Sequence, residues 1–335
     1  SRGASSWTRS SCFRPRSSAS RGTDLRSPSL SASVAIVGNV NVDLIARPVS
    51  ELPPPGEEWH LGSLDLRVGG SAAITALALA RLGGAARLVG CVGDDHLGAL
   101  LLDQLREASV TTDEVAVVGS AATGISIAFE APSRDRSFLI SLGSLAGFEP
   151  SMVPVDALAS PYVLFCGYFD VPRLRGDAAA TLLRSVRAGG GTTLLDPGWD
   201  PAGWTPANRR ELLELLPLVD LFLPNEDEAC QLAQEEDVRD AARVLRQRSG
   251  GWVVVKRGRD GCIAAGPGDA YLSEPARDVE VVDTTGAGDS FNGGLLLRLS
   301  EGAAMDEAAR FAVRVGSAVV ARPSSDRYPA RADVE

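Results

Sequence analysis

The stretch Asp283-Thr-Thr-Gly-Ala-Gly-Asp289 holds the ingredients of an anion-handling site. The apolar run Val279, Val281 and Val282 precedes it, and Ser290-Phe-Asn-Gly-Gly-Leu-Leu-Leu297 follows it. The pattern predicts strand, Gly-rich turn and helix. Such a turn leaves the N–H groups of Gly286, Ala287 and Gly288 without intrahelical acceptors at a helix N-terminus, where the helix dipole adds positive potential. Asp289 then falls in the first helical turn, beside whatever anion is held there. A carboxylate facing a phosphate makes little sense for binding alone. It makes sense if it takes the proton from a hydroxyl that attacks phosphorus. Taken by itself, Gly-x-Gly-Asp more often describes a capped helix whose Asp complements the dipole.

Other polar residues sit at the ends of apolar runs. In Gly38-Asn-Val-Asn-Val-Asp43, Asn39, Asn41 and Asp43 alternate with strand periodicity and can point one way. A buried carboxylate there could accept hydrogen bonds from two sugar hydroxyls, although a turn-capping Asx cluster has the same composition. Gly69-Gly70 opens a helical stretch from Ser71 to Gly83, and both glycines allow close backbone approach. Asn225-Glu-Asp-Glu228 follows Leu221-Phe-Leu223; it reads equally as a helix start with Asn225 as cap. Lys256-Arg-Gly-Arg-Asp-Gly261 ends a strand and turns, and Asp196-Pro-Gly198 follows another strand.

In this order, together with Gly90-Cys-Val-Gly-Asp-Asp-His-Leu-Gly98, these motifs resemble the ribokinase-like, or PfkB, family of carbohydrate and nucleoside kinases. The resemblance runs from about Val34 to about Pro323. It implies ATP-dependent transfer of a phosphoryl group to a hydroxymethyl group of a sugar or sugar derivative, with a nucleoside as the alternative acceptor. A catalytically silent sugar-binding protein on the same fold is the alternative of a different class. By resemblance, Asp289 is the general base, with Gly286, Ala287 and Gly288 holding the transferred group. Asn41, Asp43, Gly69 and Gly70 bind the acceptor. Asn225, Lys256, Gly258 and Gly261 border the nucleotide. Glu228 arranges Mg²⁺ beside the phosphates. Asp283 and Thr285 correspond to positions for a monovalent cation such as K⁺, with further ligands from Val320 to Ser325. Two departures concern the acceptor. Ile74 stands where the family usually has Asn, and Phe165-Cys-Gly-Tyr-Phe-Asp170 lacks the Glu of ribose-binding members, leaving Tyr168 or Asp170 as stand-ins.

The elements that must position these residues alternate. Strands are predicted near 162–166, 192–196, 219–223 and 252–256, and helices near 177–188, 208–215, 226–235, 237–249, 289–299 and 303–321. This rhythm predicts an α/β fold with a mostly parallel central sheet and helices on both faces. Ligands of such sheets gather at the carboxyl ends of the strands, where each motif lies. Strand pairs near 44–67 and 123–142 break the rhythm and are expected to form a small β-sheet, by resemblance a lid and often a dimer contact. Residues 34–323 thus form one kinase domain, and residues 324–335 a C-terminal tail.

Composition narrows the partners. The net charge of −10 argues against nucleic acid and anionic membranes. No apolar run approaches the length of a membrane span. An apolar content of 44% supports a sizeable core. Two histidines, His60 and His96, exclude His-rich metal sites, and five scattered cysteines suit a reducing, cytoplasmic compartment. Residues 1–33 are Ser- and Arg-rich with Asp24 as their only acid; they read as a disordered tail, with a transit peptide as the alternative.

Overall fold

The computed structural model describes residues 34–131 and 134–335. The Ser/Arg-rich segment 1–33, Cys12 included, lies outside the described residues. The strands are β1 (Val34–Gly38), β2 (Asn41–Arg47), β3 (Ser63–Gly69), β4 (Ala86–Gly93), β5 (Thr111–Val118), β6 (Gly124–Ala131), β7 (Arg134–Ser141), β8 (Tyr162–Cys166), β9 (Thr192–Leu195), β10 (Leu221–Phe222), β11 (Trp252–Lys256), β12 (Cys262–Ala265) and β13 (Tyr271–Glu274). The helices are α1 (Ser71–Arg81), α2 (His96–Glu107), α3 (Val155–Leu158), α4 (Asp177–Ala188), α5 (Pro206–Leu215), α6 (Glu226–Ala233), α7 (Val238–Arg248), α8 (Ala287–Ser300) and α9 (Met305–Val320).

Nine strands form the main sheet in the order β13-β12-β11-β10-β9-β8-β1-β4-β5. Pairing is parallel from β11 to β5, and β12 and β13 add an antiparallel edge. Central strands such as β1 and β8 are apolar and buried throughout because both faces of the sheet are covered, whereas the edge strands β5 and β13 are partly exposed. Along β1, Val34 and Ile36 face one core while Ala35 and Val37 face the other. The first core takes residues from α1, α2, α8 and α9, and the second from α3 to α7. The mostly parallel sheet between two helical layers is the architecture the alternation predicts.

The second sheet has the order β3-β2-β6-β7, built from the early strand pairs. Register places Asp43 beside both Arg67 and Ser126, so these three side chains share one face. The opposite face carries Leu44, Leu66, Ile127 and Leu139 in adjoining rows. Leu66 and Leu139 there are exposed.

The sequence predicts a strand at 279–282, and none forms. Residues 275–286 run without helix or strand, and Val281 and Val282 are 60% and 51% exposed. The alternation has strand periodicity, but β13 already closes the sheet at that edge. The N–H groups of Val282 and Asp283 go instead to the Val320 carbonyl at the end of α9, at 2.8 and 3.2 Å. Residues 324–335 pack back onto the domain: Val334 joins the first core and Arg327 is 4% exposed.

Candidate active site

Two cavities meet at the N-terminus of α8. One, of about 520 Å³, lies beneath the small sheet and is lined by Asn41, Asp43, Gly70, Ile74, Ser126, Asp170 and Gly286 among others. The other, of about 980 Å³, is lined by Asp196, Asn225, Glu228, Lys256, Gly258, Gly261, Ala287 and Gly288 among others. Ser71, Thr284 and Asp289 line both. The side chain of Asp289 therefore stands on the wall between a polar pocket and a larger cleft.

The helix start holds this arrangement in place. Gly286 is the N-cap residue at φ 70°, in the left-handed region. A Cβ there would lie 3.1 Å from Ile74 Cγ2. Ala287 N–H, predicted unpaired, donates to the Thr284 carbonyl at 3.3 Å, because the turn closes on itself. Among the described residues no acceptor takes the N–H of Gly286 or Gly288. Two amides rather than three are thus open to an anion.

The smaller cavity has a polar floor. Asn41 Nδ2 donates to Asp43 Oδ1 at 3.0 Å, and Asn39 Nδ2 donates to Asp170 Oδ2 at 2.9 Å. Burial pushes Asp43 up to about 7 against the pull of Asn41, and burial likewise pushes Asp170 up to about 6. A Cβ on Gly69 would lie 2.2 Å from Asp43 Oδ1, so the room left by Gly69 is taken by Asp43 itself. Gly69 makes room for the Asp43 carboxylate, and Gly70 borders the cavity. Ile74, Leu145, Phe138 and Ile140 form an apolar wall. Tyr168 takes no part: its hydroxyl donates to Glu211, leaving Asp170 as the residue that reaches the pocket from the chain after β8.

Lys256 lines the larger cavity. Its Nζ lies 2.6 Å from Asp196 Oδ2, which also accepts from Asn292 Nδ2 at 2.5 Å. Burial favours the neutral amine, but Asp196, Glu228 and Asp289 outweigh it and hold the lysine above its usual range. Burial first, and the charge of Asp196 second, push Asp289 up to about 7, opposed by Lys256 and by a hydrogen bond from Ser71. The same two causes push Glu228 upward. Asn225 and Glu228 form a reciprocal capping box, with three contacts at 2.8 Å. The capped-helix reading of these residues is therefore physically present, on the cavity wall. Three carboxylates around one lysine leave excess negative charge; among the described residues they do not close into a ligand cluster, so a hard divalent cation beside Glu228 would keep most of its waters.

Asp283 and Thr285 lie behind the turn. The Asp283 carboxylate is 1% exposed and pairs with Arg67 Nη1 at 2.6 Å and Arg327 Nη1 at 3.0 Å. Arg327 Nη2 also donates to the Asp283 carbonyl at 3.1 Å and to the Thr285 carbonyl.

The model of the pfkB family carbohydrate kinases matches residues 31–331. The chain belongs to this PfkB family. It is 29% identical over 310 residues to the ribokinase of Bacillus subtilis, covering 90% of this chain and 98% of that protein. It is 29% identical over 282 residues to the aminoimidazole riboside kinase of Salmonella typhimurium, covering 82% and 83%. Among solved structures, Arabidopsis thaliana ribokinase complexed with ribose and ATP superposes with a TM-score of 0.80 at 25% identity, covering 91% and 98%. Adenosine kinase of Sinorhizobium meliloti does so with a TM-score of 0.77 at 28% identity, covering 87% and 94%.

As a PfkB kinase the chain is an ATP-dependent carbohydrate kinase in class. No helix among the described residues is long and apolar enough to cross a membrane. Sequence reasoning missed Ser71, Asn292, Arg67 and Arg327. Only Asn292 carried a local signal, as a polar residue within an apolar helix.

Proposed function

We propose that this kinase moves the γ-phosphoryl group of ATP to a hydroxymethyl group of a sugar or sugar derivative, with Asp289 as general base. The observation that carries the reading is the Asp289 carboxylate on the wall common to both cavities. ATP occupies the larger cavity, its apolar side against Trp199, Phe291 and Val313. The acceptor occupies the smaller, its hydroxyls on Asn41, Asp43 and Asp170. The acceptor O–H gives its proton to Asp289 as the new O–P bond forms and the bond to the departing ADP breaks. The open amides of Gly286 and Gly288, with Lys256, meet charge developing on the transferred group. A base with a pKa near 7 is half ionised at working pH and strong enough to accept the proton.

Mg²⁺ belongs to the larger cavity, held beside the carboxylate of Glu228; when bound it neutralises phosphate charge. Asn225 fixes Glu228 through the capping box.

A nucleoside acceptor is the second reading. The apolar wall of Ile74, Leu145, Phe138 and Ile140 favours it, since a base needs an apolar surface and a free pentose does not. The exposed apolar face of the small sheet supports a homodimer built through that sheet.

The test is ADP release with Mg²⁺ across pentoses, ketohexoses, 2-keto-3-deoxy acids and nucleosides. We expect turnover with one of these classes. No turnover with any, from folded protein, contradicts catalysis; turnover with nucleosides alone reverses the ranking of acceptors.

A further inference from the structure

The family resemblance leads one to expect K⁺ on the oxygens of Asp283 and Thr285. Those oxygens already hold a cation. The Asp283 carbonyl, Asp283 Oδ1 and the Thr285 carbonyl converge on Nη2 of Arg327, the first two at 3.1 and 3.4 Å. Arg327 Nη1 lies 3.0 Å from Asp283 Oδ2, and the two side chains are 3% and 1% exposed. A guanidinium thus satisfies carbonyl and carboxylate oxygens of the kind that ligate an alkali ion.

The described surroundings already balance the charge of this pair. Arg67 Nη1 lies 2.6 Å from Asp283 Oδ2, and Arg47 Nη2 lies 3.8 Å from it. Arg67 and Arg47 are balanced in turn by Asp65 and Glu130 at 3.0 and 3.3 Å. Among the described residues, three guanidinium groups and three carboxylates meet here, and their charges balance without a free ion. A potassium ion would have to displace Arg327 from a buried site, leaving that charge unpaired.

The cluster lies directly behind the anion-binding turn. Thr285 N–H donates to Asp283 Oδ1 at 2.8 Å, and Gly286 follows Thr285 in the chain. Arg327 therefore fixes the backbone that aims the amides of Gly286 and Gly288.

We propose that Arg327 is a tethered replacement for the monovalent cation, a positioning residue that makes this kinase independent of K⁺. The inference rests on the turn being the anion site of the proposed reaction. K⁺ takes no part in the reaction here, because its ligand oxygens are taken.

The experiment compares potassium chloride with tetramethylammonium chloride at equal ionic strength. Two readouts are taken: the melting temperature of the apoprotein, and ADP release with whichever of ribose and adenosine it phosphorylates. For the unaltered protein we expect no effect of K⁺ on either. A K⁺-specific rise in either overturns the proposal. Arg327→Ala should lose about 10²-fold in kcat, since the amides lose their support, and regain part of it with K⁺ but not with tetramethylammonium. Full activity of Arg327→Ala without K⁺ overturns the proposal as well. Should Arg327→Ala not fold, Arg327→Lys decides: activity without K⁺ supports a tethered cation, and a requirement for K⁺ refutes it. The melting readout needs no catalysis, so a wrong cation assignment is distinguishable from a wrong reaction.

Discussion

Lys256 Nζ sits 2.6 Å from Asp196 Oδ2, beside the first turn of α8 and among three carboxylates. The pair is nearly closed off, at 11% and 5% side-chain exposure, so neither partner can lose the other without a buried charge left over. Replacing Lys256 by Met should destabilise the protein by about 3 kcal/mol, read by urea denaturation. It should also raise the KM for ATP and move the acid limb of the pH–rate profile upward, because Lys256 holds the Asp289 pKa down. An unchanged acid limb would separate Lys256 from the base.

The acid limb itself is predicted from burial. Asp289 titrates near 7, and Asp43 is pushed to the same region. The ratio kcat/KM should fall as pH drops through about 7, because the base becomes protonated. A flat profile from pH 8 to about 5 would remove Asp289 from proton transfer.

Burial of Asp289 has a stability consequence with a definite sign. Its pKa rises on folding from 3.8 to about 7, so the folded state binds the proton more tightly than the unfolded chain. That contribution is complete below 3.8 and disappears as pH rises through about 7. Asp289→Asn should therefore raise the melting temperature of the apoprotein at pH above 7 and bring little gain near pH 4. Equal effects at both ends would contradict the linkage.

Gly286 tests the turn. Its φ of 70° and the nearness of Ile74 Cγ2 leave no comfortable place for a side chain. Gly286→Ala should cost roughly 1–2 kcal/mol of stability, measured by thermal unfolding. The loss in kcat should exceed what the KM values show, because the amides, not the binding residues, are displaced.

The outer face of the small sheet tests assembly. Leu139 and Leu66 are 58% and 41% exposed there. Leu139→Glu should convert a dimer to a monomer in light scattering, leaving ATP affinity unaltered. A monomeric parent protein would contradict the lid interface.

Much of the frame was legible because it depends on local pattern. The strand at 162–166 and the helix at 177–188 form where the apolar spacing predicts them. Family membership was legible from the order of motifs. What failed had tertiary causes. Val279, Val281 and Val282 carry strand periodicity, but among the described residues no strand lies beyond β13 to pair with them. Ala287 loses its open N–H to a turn contact that spacing does not reveal. Asn39 and Asp170 meet across 131 positions, and Arg327 reaches Thr285 across 42, distances over which a single sequence carries no signal. Asp283 was named through the resemblance alone, as a cation position, while its arginine partners carried no signal.

The central claim is that Asp289 removes the acceptor proton at the meeting of the two cavities. The most direct measurement is kcat of Asp289→Asn with the acceptor found by the ADP-release panel, alongside its affinity for ATP. The account predicts a fall of about 10²–10⁴-fold in kcat with ATP binding retained. A variant that turns over within a few-fold of the parent protein would contradict it.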